Sequence, residues 1–247
     1  MEQTHRYLAG IVSILVIATW FVASRIRTHI AAIKPALFTV GIVLLQIILG
    51  AITVFDSNGA PTVAAHLLAG LALLGGATVT AVAALVDKLP VNSRRLGSLG
   101  WSAIGSAGLL YLSGSLVVNA EAEKACASFP FCPSNQPMHL VILHLLHRSV
   151  ALFAVFALIA FAIHAWRNWS NISGARPLAA TMIGLLVATA TLGIFSALLK
   201  APADLQDLHL AGAAAVLAVS VALASVGWLA GADSTNHDRI PHASLPS

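Results

Sequence analysis

Charge is scarce in this chain: Asp, Glu, Lys and Arg make up 9% of its 247 residues, against about 25% in an ordinary soluble domain. That scarcity, with 58% hydrophobic residues and a mean hydropathy of +0.89, excludes a water-soluble globular fold and points to an integral membrane protein. Cysteine is scarcer still. Two residues exclude a multi-disulfide framework, and with no other ligands beside them they exclude a thiolate metal site. A basic stretch ahead of the first apolar segment is also lacking, so that segment is expected to be a retained span and not a cleavable signal peptide.

Apolar runs are abundant. A window of about 20 residues, the length that crosses a hydrocarbon core of about 30 Å, picks out seven spans near 5–24, 35–55, 64–86, 99–119, 140–166, 178–199 and 207–231. The links are short and carry breakers, such as Lys34-Pro35, Ser57-Asn58-Gly59, Leu89-Pro90 and Arg176-Pro177. The sequence therefore predicts an all-α bundle: one transmembrane helical domain over 1–231, with pseudo-repeat units at about 1–86 and 99–231, and a disordered tail over 232–247.

Cations sort by loop. Arg25, Arg27 and Lys34, then Lys88, Arg94 and Arg95, then Arg167 and Arg176 occupy the odd-numbered loops, and Arg239 the tail. By the positive-inside rule those loops and the C-terminus are cytoplasmic and the N-terminus is outside, in a cell or inner membrane. The net charge of +4 is then a record of topology and carries no implication of nucleic-acid binding.

Against this background four histidines stand out. His5 and His66 are 61 residues apart and His147 and His209 are 62, each interval matching two spans with their loops. All four fall at the outer ends of odd-numbered spans, which makes them one layer. Their flanks repeat as well: His5-Arg6 matches His147-Arg148, His66-Leu67-Leu68-Ala69-Gly70 resembles His209-Leu210-Ala211-Gly212, and Leu49-Gly50 and Leu192-Gly193 each place a glycine 16 residues before the second histidine. One such histidine alone would read as an interfacial side chain. Four at matched positions, costly in a bilayer without partners, read as two cofactor sites.

Zinc would call for compact tetrahedral ligation. Two histidines on facing helices instead suit the two axial positions of a haem, with Arg6 and Arg148 placed to pair with propionates on the outer side. His144 shares a helix face with His147, so either is able to ligate, and the repeat favours His147. His29, His139, His164, His237 and His242 are expected at surfaces or interfaces. Cys126 and Cys132, both in the loop 119–138, are read as a disulfide bracing a cover over the second pair, with two free thiols as the alternative. Glu2 lies three residues before His5; it is either an exposed terminal carboxylate or a group beside a haem edge that accepts a proton or steadies positive charge.

Glu2-Gln3-Thr4-His5-Arg6, Leu49-Gly50-Ala51, His66-Leu67-Leu68-Ala69-Gly70, the Cys126 and Cys132 pair, His147-Arg148, and Leu192-Gly193 with His209-Leu210 together resemble the haem A synthases, which convert haem O to haem A for terminal oxidases. The resemblance covers nearly the whole chain except the tail. It implies that His5 and His66 hold the substrate haem O, that His147 and His209 hold a haem b cofactor, and that Glu2 takes part in catalysis. The implied reaction oxidises a porphyrin methyl, through an alcohol and a hydrated aldehyde, to a formyl group. It further implies haem O synthase and an electron donor as partners in the lipid bilayer. Members commonly have eight spans, so the expectation is a shortened form lacking the first helix and first outer loop, either completed as a homo-oligomer or with activity reduced or lost. The alternative readings are a diheme electron-transfer or haem-handling protein, and an oxidase assembly factor whose histidines only pack helices.

Overall fold

A computed structural model describes residues 2–26, 30–85, 98–126, 128–129, 131–132 and 136–237. The side chains of Met1, Glu2, Lys124 and residues 230–237 lie outside the description, as do Arg27, His29, Lys88, Leu89-Pro90, Arg94, Arg95, Arg239 and His242, on which part of the charge and surface reading rested.

Among the described residues seven α-helices follow in order: α1 (Glu2–Arg25), α2 (Ile30–Phe55), α3 (Ala60–Ala83), α4 (Ser98–Asn119), α5 (Met138–Asn168), α6 (Ala175–Leu198) and α7 (Ala203–His237). All seven are long and apolar enough to cross a membrane, and no strand occurs among the described residues. In hydrocarbon the backbone must satisfy itself, and a helix does so within one segment. Hydroxyls obey the same demand: Ser13 donates to the Ala9 carbonyl at 2.7 Å, Thr80 to Gly76 at 2.8 Å and Ser220 to Val216 at 2.6 Å.

Two boundaries differ most from the sequence reading. Helix α2 begins at Ile30, ahead of Pro35, because a proline this close to a helix start forfeits few backbone bonds. Helix α7 continues to His237, into the segment expected as tail, and residues 238–247 lie outside the description.

The core is concentrated in α4 to α7, where Leu158, Phe161, Met182 and Leu223 are buried among Ala103, Ala162, Ala165, Ala175 and Ala179. Small residues let these helices approach closely, which is how helices associate when lipid offers no hydrophobic incentive. Helix α7 packs on α3, α4 and α6, whereas α1 makes its principal contacts with α2 and is mostly exposed. An apolar groove of about 330 Å³ runs beside α1, bounded by Leu15, Thr19 and Val22 with Ala32, Thr80 and Ala84.

The α2–α3 and α6–α7 turns are alike at corresponding positions. Ser57 and Asn58 have φ of 50° and 61°, and Lys200 and Ala201 have 60° and 55°. The Asn58 N–H donates to the Thr53 carbonyl at 2.8 Å and the Ala201 N–H to Ser196 at 2.7 Å. These are helix C-caps closed through left-handed residues.

Candidate functional site

Each histidine of the predicted layer lies in the first three turns of an odd-numbered helix: His5 on α1, His66 on α3, His147 on α5 and His209 on α7. Facing them are the last turns of the even-numbered helices, where glycine recurs: Gly50 on α2, Gly114 on α4 and Gly193 on α6. An added Cβ at Gly50 would stand 3.2 Å from His66 Cε1, at Gly114 3.3 Å from His147 Cε1, and at Gly193 2.8 Å from His209 Cε1. Three imidazoles thus lie against the backbone of the preceding helix. Missing side chains make the room.

The structure brings the first pair together. The rings of His5 and His66 have centroids 6.3 Å apart and meet at 78°. A metal between two imidazoles, with metal–nitrogen bonds of about 2 Å, sets the ring centres about 6 Å apart, so the spacing fits. His5 and Arg6 are exposed on α1, and His66 is partly buried. Its Nδ1 is buried with no hydrogen-bond partner, as is Oε1 of Gln46 one turn before Gly50.

The second pair is held differently. His147 lies on α5, one turn after His144 and next to Arg148. Its Nδ1 is 2.9 Å from Ser113 Oγ on α4, and His209 Nδ1 is 2.9 Å from the Thr189 carbonyl on α6. A carbonyl only accepts, so His209 carries its proton on Nδ1 and keeps the Nε2 lone pair for a ligand. Tyr111, buried on α4, donates its hydroxyl to the Leu210 carbonyl at 3.1 Å and so fastens α4 to α7 beside His209.

His144 is not at the surface. It is buried one turn from His147 with Nδ1 unpartnered, whereas His147 is the residue set against Gly114 and Ser113. His139 and His164 are exposed, as expected, and His164 lies at the far end of α5 beside Asn168.

Cys126 and Cys132 form a disulfide, with Cα atoms 4.7 Å apart. The loop they close is fastened to α5 by the residue after the ligand candidate: Arg148 Nη2 donates to the carbonyls of Cys126 at 3.1 Å and Ser128 at 2.8 Å, and its guanidinium lies 5.7 Å from the Phe129 ring. Arg148 therefore spends two of its five donors on the loop.

Glu2 is in the first turn of α1, three residues before His5. Among the described residues no group of three or more His, Cys, Asp or Glu is arranged to hold a metal ion. Pairs of histidines are what the described residues offer. Pairs suffice for an iron whose equatorial ligands come with a macrocycle. Gln46 Oε1, His66 Nδ1 and His144 Nδ1 are buried without a hydrogen-bond partner at the same end of the bundle.

The glycine at 114 escaped the sequence reading because the long loop 120–137 separates it from His147, whereas Gly50 and Gly193 precede their histidines across tight turns. Its place five residues from the end of α4, matching Gly50 in α2 and Gly193 in α6, is the signal that finds it.

The structure is a helical membrane bundle that gathers four histidines at one end, three of them set against a glycine of the preceding helix. The family model described as cytochrome oxidase assembly protein matches residues 1–221, and the chain belongs to that family, which includes the haem A synthases. Among curated relatives, the haem A synthase of Shewanella oneidensis (strain MR-1) is 24% identical over 259 residues, covering 92% of this chain and 76% of its own length.

Proposed function

We propose that this protein is a haem A synthase-like membrane oxidoreductase, which oxidises a methyl group of haem O to the formyl group of haem A in terminal oxidase biogenesis. In this reading His5 and His66 bind the substrate haem O, and His147 and His209 bind a haem b cofactor. Haem b supplies redox chemistry at the second site. The chain's own residues bind, orient and handle protons. Arg6 and Arg148 pair with propionates, and Glu2, on the face of α1 that carries His5, accepts a proton at the substrate edge. The N-terminus and the disulfide-bearing loop are on the outer side, the C-terminus is cytoplasmic, and haem O synthase and an electron donor are the partners.

The single observation that carries the reading is the approach of the His5 and His66 rings at one end of the bundle, with a glycine of the preceding helix against three of the four histidines. The carboxylate separates an enzyme from a carrier, because a diheme electron-transfer or haem-handling protein has no use for Glu2. Purified protein from cells co-producing haem O synthase is assayed for extracted haems by chromatography. Haem A in the wild type and its loss in Glu2→Ala support the enzyme. Conversion that survives Glu2→Ala removes the catalytic assignment, and bound haem with no haem A in the wild type leaves the carrier.

A further inference from the structure

We infer that Ser113 is a positioning residue for the His147 and His209 pair, fixing the His147 ring with its ligating nitrogen exposed so that this pair retains its haem. The inference rests on the assignment of a haem to that pair and says what makes the site retentive.

A serine hydroxyl has one proton, and that of Ser113 goes to the Leu110 carbonyl at 2.9 Å. What Ser113 Oγ offers to His147 Nδ1, 2.9 Å away, is therefore a lone pair. In that arrangement His147 carries its proton on Nδ1 and leaves Nε2 unprotonated, as a metal ligand requires. His209 reaches the same state through the Thr189 carbonyl, at 2.9 Å. Both rings of the pair are thereby set in one tautomer and one orientation before any ligand arrives. Gly114, next to Ser113 in α4, lets the His147 ring lie close enough to reach the hydroxyl.

The first pair lacks this arrangement. The Gln46 backbone occupies the place beside His66 that Thr189 occupies beside His209, yet His66 Nδ1 is buried without a hydrogen-bond partner. His5 is exposed. The hydrogen bonds at Nδ1 of His147 and His209 are thus what distinguishes the second pair.

The test uses the full chain, produced in cells that make haem b but lack haem O synthase, and purified in detergent. Haem b release is followed by transfer to excess apomyoglobin, and carbon monoxide binding to the reduced protein is read from the absorption spectrum. Loss of an outer partner of a metal-bound histidine weakens metal binding about 10- to 100-fold. Ser113→Ala is expected to release haem about tenfold faster or more and to admit carbon monoxide where the wild type does not. Ser113→Thr, which keeps the hydroxyl, is expected to stay within about twofold of the wild type. Should Ser113→Ala fail to accumulate, Ser113→Cys, nearly isosteric but a weak acceptor, takes its place. Release and carbon monoxide binding unchanged in Ser113→Ala or Ser113→Cys overturn the positioning role. A wild type without haem, or a His147→Ala variant that keeps it as tightly, overturns the haem assignment itself.

Discussion

The His209 imidazole rests on the Cα of Gly193, so near that a methyl group there would come within 2.8 Å of Cε1 and 3.1 Å of Nδ1. His209, on α7, is also tied at Nδ1 to the carbonyl of Thr189, one turn before Gly193 on α6, so the ring has little freedom to withdraw. Gly193→Ala is therefore expected to push the ring off the Thr189 carbonyl and to cut bound haem several-fold. At Gly114 and Gly50 the corresponding distances are 3.3 Å and 3.2 Å, and Ala is expected to cost less. Haem content per protein by pyridine haemochrome ranks the three; equal loss at all three would show that clearance is not what the glycines provide.

Arg148 holds the disulfide loop through two charge-assisted hydrogen bonds to the Cys126 and Ser128 carbonyls. Each such bond contributes about 1.5–3 kcal/mol where partly shielded. Arg148→Ala is expected to expose the loop to proteolysis near Phe129 and to lower the detergent melting temperature, and Arg148→Lys to restore little, since one ammonium does not reproduce the fork. A digestion pattern identical to the wild type would mean that the loop stands without its clasp.

Tyr111→Phe removes only the bond to the Leu210 carbonyl that links α4 to α7. The expected loss is about 1 kcal/mol, read as a lower midpoint in thermal unfolding followed by circular dichroism. Retention of the wild-type midpoint would show that packing alone aligns these helices.

Ala201 takes φ of 55° with its side chain buried, in a region where a Cβ is strained. Ala201→Gly is expected to raise stability by about 1 kcal/mol, after the entropy that glycine adds to the unfolded chain. The same thermal scan checks it, and a fall in the midpoint would place the strain elsewhere.

Much of this architecture was legible in the residues. Apolar length located seven spans because a bilayer accepts little else, and the spacing of His66 to Gly50 and of His209 to Gly193 survives as contact because tight turns convert sequence distance directly into geometry. The Cys126 and Cys132 pairing was readable for the same reason of proximity. Ser113 was not: its partner His147 lies across a long loop, and a lone serine in an apolar run commonly bonds its own helix, as Ser113 also does to Leu110. Nor was the Thr189 carbonyl, since a backbone acceptor leaves no mark on residue identity. Helix ends were misjudged at Pro35 and past residue 231, where local preference yields to context.

Ser57-Asn58 and Lys200-Ala201 share no residue type and include no glycine, yet both pairs adopt the same left-handed bend between their helices. The bend is thus dictated by where the helices must stop and turn back, and the side chains are bystanders. A hairpin of that kind tolerates rewriting of its lining without losing its hinge. Such latitude lets two helical hairpins keep one shape while their sequences part.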